Sequence, residues 1–213
     1  VISEEQKKNR IGRIGSSDVP LILGISPYGK KSPAKQYRDA YFRVMDLCPK
    51  AESSSMRDGN FLEPAILNWA EWKIGRPLLR DMQIVSEQHD WMIASFDGIT
   101  DDDPDAPAIV EAKWVENPEF QSHWGRSGNT KHENVPDYVL AQIHHQMLVA
   151  GPDYRVAYAA CLRAVNGFGL YGPLKRDDEL IGLIFEAEQK FYTDHILPKR
   201  APELPAEEQT NAA

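Results

Sequence analysis

At 213 residues, with a net charge of −8 and two cysteines, the chain is long enough to bury one proper core, and it is neither a disulfide scaffold nor a broadly basic nucleic-acid coat. Its 42% apolar and 26% charged content is that of a soluble globular protein, and no run approaches the roughly twenty apolar residues of a membrane span. Cys48 and Cys161 have no CxxC partner, which excludes a four-cysteine zinc or iron–sulfur centre, and no secretory leader is visible. The expectation is buried thiols in a reducing compartment.

Charge is unevenly distributed. Acidic residues gather at 101–105 and near the C-terminal end, and basic ones at Lys7–Arg13, Lys30–Arg38 and Arg126–Lys131. That pattern argues against broad nonspecific nucleic-acid binding and leaves room for a small positive channel.

Residues 3–24 predict a polar lead-in helix, a glycine-broken turn at Gly12–Gly15, and a short apolar helix capped by Ser17 and stopped at Gly24. Arg10, Ser16 and Ser17 beside a helix start could make a phosphate pocket, although local evidence favours ordinary capping. Ser32 as cap and Pro33 in the first turn open a helix through about Val44.

From Gly59 to Gly75, Phe61, Leu62, Ala65, Ile66, Trp69 and Trp72 recur at helical spacing, so they are expected to form a buried stripe. Glu63-Pro64 falls at the start of this helix or inside it. A lone glutamate there is ordinarily a first-turn residue favoured by the helix dipole. On a largely apolar stretch, it is also a candidate third carboxylate.

Residues 82–88 read as a strand leading into two more, Trp91–Ile99 and Ile109–Val115, folded back as a hairpin around the acidic gap Thr100–Ala108. Alternate side chains share a face, so Glu111 and Lys113 point one way and Ala112 and Trp114 the other, with Ser95 and Asp97 together on the first strand. By itself E-x-K is usually a solvated ion pair. Asp97, set before a glycine about a dozen residues upstream, changes the reading. Two carboxylates and one ammonium converging on one surface suit a hard divalent cation beside a fixed positive charge.

Pro136–Ala150 predicts a helix ended by Gly151-Pro152, with Val139, Ile143, Met147 and Ala150 buried and Tyr138, Gln142, His145 and Val149 on a neighbouring face. His144 and His145 are adjacent and cannot clamp a metal from one face; packing is the expectation for both. Residues 154–165 and 168–174 form a hairpin about Asn166-Gly167, and 177–197 an amphipathic helix. Residues 1–197 are expected to be one domain, with 198–213 a flexible tail.

Six segments in order resemble the phage lambda exonuclease and YqaJ-type viral recombinase family, within the PD-(D/E)xK superfamily. They are Arg10–Asp18 (RIGRIGSSD), Gly24–Tyr28 (GISPY), Gly59–Pro64 (GNFLEP), Ala94–Gly98 (ASFDG), Glu111-Ala112-Lys113, and Tyr138–Met147 with Gln142. Phe96 stands where the family pattern has proline, and the Tyr138–Gln142 spacing is one residue longer.

The resemblance implies an α/β (α+β) fold, a restriction-endonuclease-like core whose central mixed sheet is flanked by helices. It implies a 5′–3′ exonuclease on double-stranded DNA ends that uses Mg²⁺, with Mn²⁺ as a substitute, at two ion sites. Mononucleotides would be released, and the remaining 3′ strand would serve recombination by annealing. Asp97, Glu111 and the Ala112 carbonyl would hold one ion and Glu63 help with a second; Lys113 and Gln142 would complete the catalytic set. Arg10, Ser16, Ser17 and Ser95 would bind the 5′-phosphate. The partners implied are a homotrimeric ring and a phage single-strand annealing protein in a bacterial or phage-infected cytoplasm, with no membrane. An endonuclease on the same core and a non-catalytic DNA-end-binding module remain as alternatives.

Overall fold

The computed structural model describes residues 3–28, 31–47, 53–100, 106–121, 123–125, 128 and 131–209. The acidic turn at 101–105, most of the polar loop at 126–130, Lys30, Cys48 and the last four residues lie outside them.

Helix α1 (Glu4–Arg10) is set by a reciprocal cap: Ser3 Oγ accepts from the Gln6 amide and Gln6 Oε1 accepts from the Ser3 amide. Strand β1 (Ile14–Gly15) leads into the short buried helix α2 (Val19–Ile22). The cap position of α2 is Asp18 rather than Ser17, whose hydroxyl is engaged elsewhere. Helix α3 (Pro33–Val44) starts as expected, with Ser32 accepting from the Lys35 amide and Pro33 in the first turn.

Helix α4 (Ser54–Ile74) is longer than its apolar spacing suggests. Ser53 caps it six residues before Gly59, and Gly75, at φ 74°, closes it. Pro64 therefore lies deep in the helix and Glu63 is not a first-turn residue, which removes the dipole explanation for it. The expected stripe also shifts. Ile66, Leu67 and Ala70 are buried, while Phe61 and Trp72 are 85% and 71% exposed. The face of α4 that meets β6 is the one carrying Ile66, Leu67 and Ala70, and it leaves those aromatics exposed.

Strands β2 (Leu78–Leu79), β3 (Met82–Val85), β4 (Met92–Phe96), β5 (Gly98–Thr100) and β6 (Ala108–Val115) follow. After α5 (Pro118–Gln121) and a 3₁₀ turn at His132–Asn134 come α6 (Asp137–Ala150), β7 (Val156–Arg163), β8 (Gly167–Lys175) and α7 (Asp178–Phe191). A π turn over Tyr192–Ile196 extends α7, and α8 (Ala206–Gln209) ends the described chain.

Two sheets result, ordered β1-β4-β3 and β2-β5-β6-β7-β8, both mixed because β1 runs parallel to β4 and β6 parallel to β7. Helices flank them, as expected of the fold class. The expected long hairpin is instead split. Residues 92–96 pair with β1 and β3, and only Gly98–Thr100 pairs with β6. Asp97 is the one residue between β4 and β5, where the chain passes from one sheet to the other.

Around β6 the molecule has two apolar layers. Ile109 and Val115 pack with the α6 residues Val139, Ile143 and Met147 on one face. Val110 and Ala112 pack with Ile66, Leu67 and Ala70 of α4 on the other. The segment after Leu197 departs from the expected flexible tail. Pro202 and Leu204 are buried against the α2–α3 corner, and Ser32 Oγ donates to Glu208 Oε2 at 2.6 Å. Apolar side chains on a proline-stiffened segment find a groove there, and one carboxylate anchors it.

Candidate functional site

Strand β5 starts opposite Val110, so the β6 edge beyond that point is unpaired on the β5 side and Asp97 fills the notch. Its Oδ2 accepts the Ala112 amide hydrogen at 2.8 Å. A residue's N–H and C=O leave a strand on the same edge, so the Ala112 carbonyl opens toward Asp97 as well. Lys113 forms an ion pair with Glu111 Oε1 within β6. The other oxygen, Glu111 Oε2, accepts from Gln146 Nε2 of α6 at 2.7 Å, and the same nitrogen reaches the Ser95 carbonyl at 3.2 Å.

The electrostatics are those of crowded carboxylates around one ammonium. Burial, and then the Glu111 charge, push the Asp97 carboxyl well above its ordinary range, with Lys113 and the Ala112 amide pulling the other way. Burial would lower the Lys113 pKa, but Glu111 and Asp97 outweigh it and hold the side chain firmly as ammonium. Glu63, midway along α4, is raised by burial and by Glu111 and Asp81. It feels the site's field, yet among the described residues no three or more His, Cys, Asp or Glu side chains converge as a ligand set. Asp97, Glu111 and the Ala112 carbonyl are brought together; Glu63 stands further out.

That donor set fits a hard divalent cation. Two carboxylates and a carbonyl, with Asp97 left as an unfavourably placed anion, match the one or two carboxylates by which Mg²⁺ is ordinarily held. Gln142 and Gln146, one turn apart on α6, each leave a buried amide oxygen unpartnered among the described residues. Gln146, not Gln142, braces Glu111. The sequence signal for Gln146 was its place four residues beyond Gln142 and eight beyond Tyr138, on one face of an otherwise apolar helix.

A second cluster forms where β1 ends. Arg10 Nη2 and Arg43 Nη2 both donate to Ser17 Oγ, at 2.9 and 3.0 Å. The nearly buried Asp18 takes Arg43 Nε at 3.1 Å and the Gly15 amide at 3.1 Å, and lies 3.7 Å from Arg10. Gly15 leaves room for the Arg10 guanidinium, which a Cβ there would meet at 3.0 Å and have to push aside slightly. Strand β1 runs parallel to β4, with Gly15 beside Ile93, so Ser16 and Ser17 lie toward the same end as Ser95 and Asp97. Arg43 comes from the last turn of α3, where no local pattern marks it. The Ser95 hydroxyl accepts from Gln83 Nε2 at 3.1 Å.

His144 and His145 are packing residues, as expected. His144 Nδ1 bonds the Leu140 carbonyl at 2.8 Å, and His145 is wholly buried between Glu188 (2.8 Å) and the Ile93 carbonyl (3.0 Å). Among the described residues no helix is long and apolar enough to cross a membrane.

Comparison with known proteins agrees with this architecture. The chain is 31% identical over 194 residues to the uncharacterized protein YqaJ of Bacillus subtilis (strain 168), covering 90% of this chain and 56% of that protein's length. The chain thus spans little more than half of the curated relative it matches. Among solved structures it is similar to an alkaline exonuclease (LHK-Exo) from Laribacter hongkongensis, with a TM-score of 0.68, 16% identity, and coverage of 92% and 94% of the two chains. A phage related exonuclease from Haemophilus somnus 129PT aligns with a TM-score of 0.56 at 14% identity, covering 85% and 94%. The fold is restriction-endonuclease-like. A YqaJ-like viral recombinase domain matches residues 6–153, and the chain belongs to that family.

Proposed function

We propose that this protein is a Mg²⁺-dependent nuclease that degrades linear double-stranded DNA from its 5′ ends, releasing mononucleotides and leaving 3′ single strands. The observation that carries this reading is the notch at Asp97. A strand break delivers one carboxylate to the open edge of a second strand bearing Glu111, the Ala112 carbonyl and Lys113. Two similar solved structures are exonucleases by name, which supports the same chemistry here.

Asp97, Glu111 and the Ala112 carbonyl would hold one Mg²⁺ (or Mn²⁺), with Glu63 contributing toward a second. The cation supplies Lewis-acid polarisation of the phosphate and a more acidic water. Lys113, kept as ammonium by its carboxylate neighbours, neutralises charge building on the phosphate. Gln146 fixes the Glu111 carboxylate, and the free amide oxygens of Gln146 and Gln142 can accept from water at the site. Arg10 and Arg43 about Ser17, with Ser16 alongside, would receive the terminal 5′-phosphate by charge-assisted hydrogen bonds, in exchange for part of their pairing to Asp18. Ser95 acts through its carbonyl as a Gln146 acceptor. A homotrimeric ring around DNA and a single-strand annealing protein as partner belong to the same proposal.

The test uses Mg²⁺ with closed circular DNA and with linear duplex labelled separately at each end. Mononucleotides from 5′ strands only, circles untouched and a chelator blocking everything are expected. Nicked circles would replace this reading with endonuclease action. Stable end binding without products would replace it with a binding module.

A further inference from the structure

The GISPY segment has no place in the chemistry above, yet its backbone is held at several points. Gly24 adopts φ 69°, and a Cβ there would lie 2.7 Å from Pro33. The Ile25 and Ser26 amides both donate to the Pro20 carbonyl, at 2.9 and 3.1 Å, so each backbone donor that a loop must satisfy is used to hold it down. Gln36 Oε1 also accepts from the Ser26 amide at 2.9 Å. What this loop presents is Tyr28. Its ring meets Phe120 edge-on at 5.6 Å and Tyr138 at 5.8 Å, and still remains 54% exposed.

Tyr28 stands beside the carboxylate notch. Its ring packs on Tyr138, which lies one turn of α6 before Gln142 and two before Gln146, the residue that braces Glu111. Tyr138 is buried on the α6 face that carries Gln142 and Gln146. Burial holds Tyr138 protonated, and the Tyr28 ring packs edge-on against it. Among the described residues no group accepts the Tyr28 hydroxyl proton. A ring locked on two sides, with a free donor at the mouth of a site that handles phosphate, is pre-ordered for an anionic ligand with an apolar neighbour.

We propose that Tyr28 is a DNA-contacting residue: its hydroxyl donates to a phosphate oxygen of the strand being cut, and its exposed ring face packs on the adjoining sugar and base. This rests on the nuclease reading of the carboxylate site. It gives the loop its purpose, since every clamp upstream of Tyr28 fixes where the hydroxyl stands.

Tyr28→Phe keeps both ring contacts and removes the donor; Tyr28→Ala removes both. Binding of a linear duplex would be measured by fluorescence anisotropy with Ca²⁺ in place of Mg²⁺, turnover with Mg²⁺, and folding by thermal unfolding. Tyr28→Phe should raise Kd and KM about tenfold, the value of one hydrogen bond to a charged group, with kcat and Tm unchanged. Tyr28→Ala should raise both further, as loss of base stacking adds to loss of the donor. A phenylalanine variant with wild-type Kd and KM would overturn the proposal, as would a fall in kcat alone. If the wild type binds DNA without cutting it, the nuclease reading fails, and the ratio of Kd values still decides the role of Tyr28. If the wild type does not bind DNA, both fall.

Discussion

Gln146 and Glu111 are 35 residues apart in sequence and joined by a 2.7 Å hydrogen bond in a buried setting. The carboxylate faces Lys113 with one oxygen and Gln146 with the other, so its plane is fixed before any cation arrives. Such outer partners of a ligating carboxylate commonly govern affinity about 10- to 100-fold. Gln146→Ala should raise the Mg²⁺ concentration for half-maximal turnover by that factor. Gln142→Ala should move it much less. Titrating Mg²⁺ against turnover for both variants checks this, and equal effects would remove the special role given to Gln146.

Lys113 is an ammonium paired to Glu111 and held charged by Glu111 and Asp97. Lys113→Ala should lower turnover by about 10²- to 10³-fold or more while leaving DNA affinity near wild type, because its charge counts most as the phosphate gains charge. Lys113→Arg should not rescue, since a planar fork cannot occupy the place of a compact ammonium paired to Glu111. Single-turnover cleavage beside equilibrium binding separates the two quantities.

Asp97 gives a prediction of opposite sign for stability and function. Its folded pKa is raised, first by burial and then by Glu111, above the ordinary value of 3.8. For such a group the stabilising contribution is fully present below the unfolded pKa and is lost as pH rises through the folded value. At pH 8 without Mg²⁺ the charge is therefore a cost, and Asp97→Asn should raise Tm, with the difference vanishing as pH falls toward 4. Adding Mg²⁺ should stabilise the wild type by mass action and leave the variant unmoved. Turnover by Asp97→Asn should be abolished. A variant less stable than wild type at pH 8 would contradict the assignment.

Much of this centre was legible from the chain alone, because Asp97-Gly98 and Glu111-Ala112-Lys113 carry their chemistry in local spacing. What escaped was whatever depends on elements meeting in space. The strand break at Asp97 is invisible to periodicity, since residues 91–99 alternate as one apolar run. Arg43 joins Arg10 at Ser17 only because α3 ends against α2. The outward turn of Phe61 and Trp72 depends on which face of α4 meets β6, and the Ser53 cap carries the helix back past a glycine that looked like its beginning. The docking of Leu204 needed a groove built by residues over 160 positions earlier.

The arginine pair about Ser17 predicts a dependence on end chemistry. Arg43 and Arg10 together offer a charge-assisted fork to a terminal phosphate, a contact roughly twice as strong as a neutral one. Linear duplex with 5′-phosphate should be degraded about tenfold faster than the same duplex with 5′-hydroxyl. Arg43→Ala should erase that preference while slowing the hydroxyl substrate little. Equal preference in wild type and variant would disconnect this cluster from the DNA end.

The buried pair of His145 and Glu188 ties α7 to α6 immediately beside Gln146, and through the Ile93 carbonyl to β4. Burial alone would lower the His145 pKa, but the Glu188 charge and its hydrogen bond raise it above 6.5. The sign follows directly: its stabilisation is complete below pH 6.5 and is lost as pH rises through the folded value. Breaking a buried pair by removing one partner typically costs about 3–5 kcal/mol. Glu188→Ala should accordingly lower stability most at pH 6 and less at pH 9, read by denaturant unfolding at both. A loss that grows with pH would mean that His145 is neutral in the folded protein, holding Glu188 by an ordinary hydrogen bond.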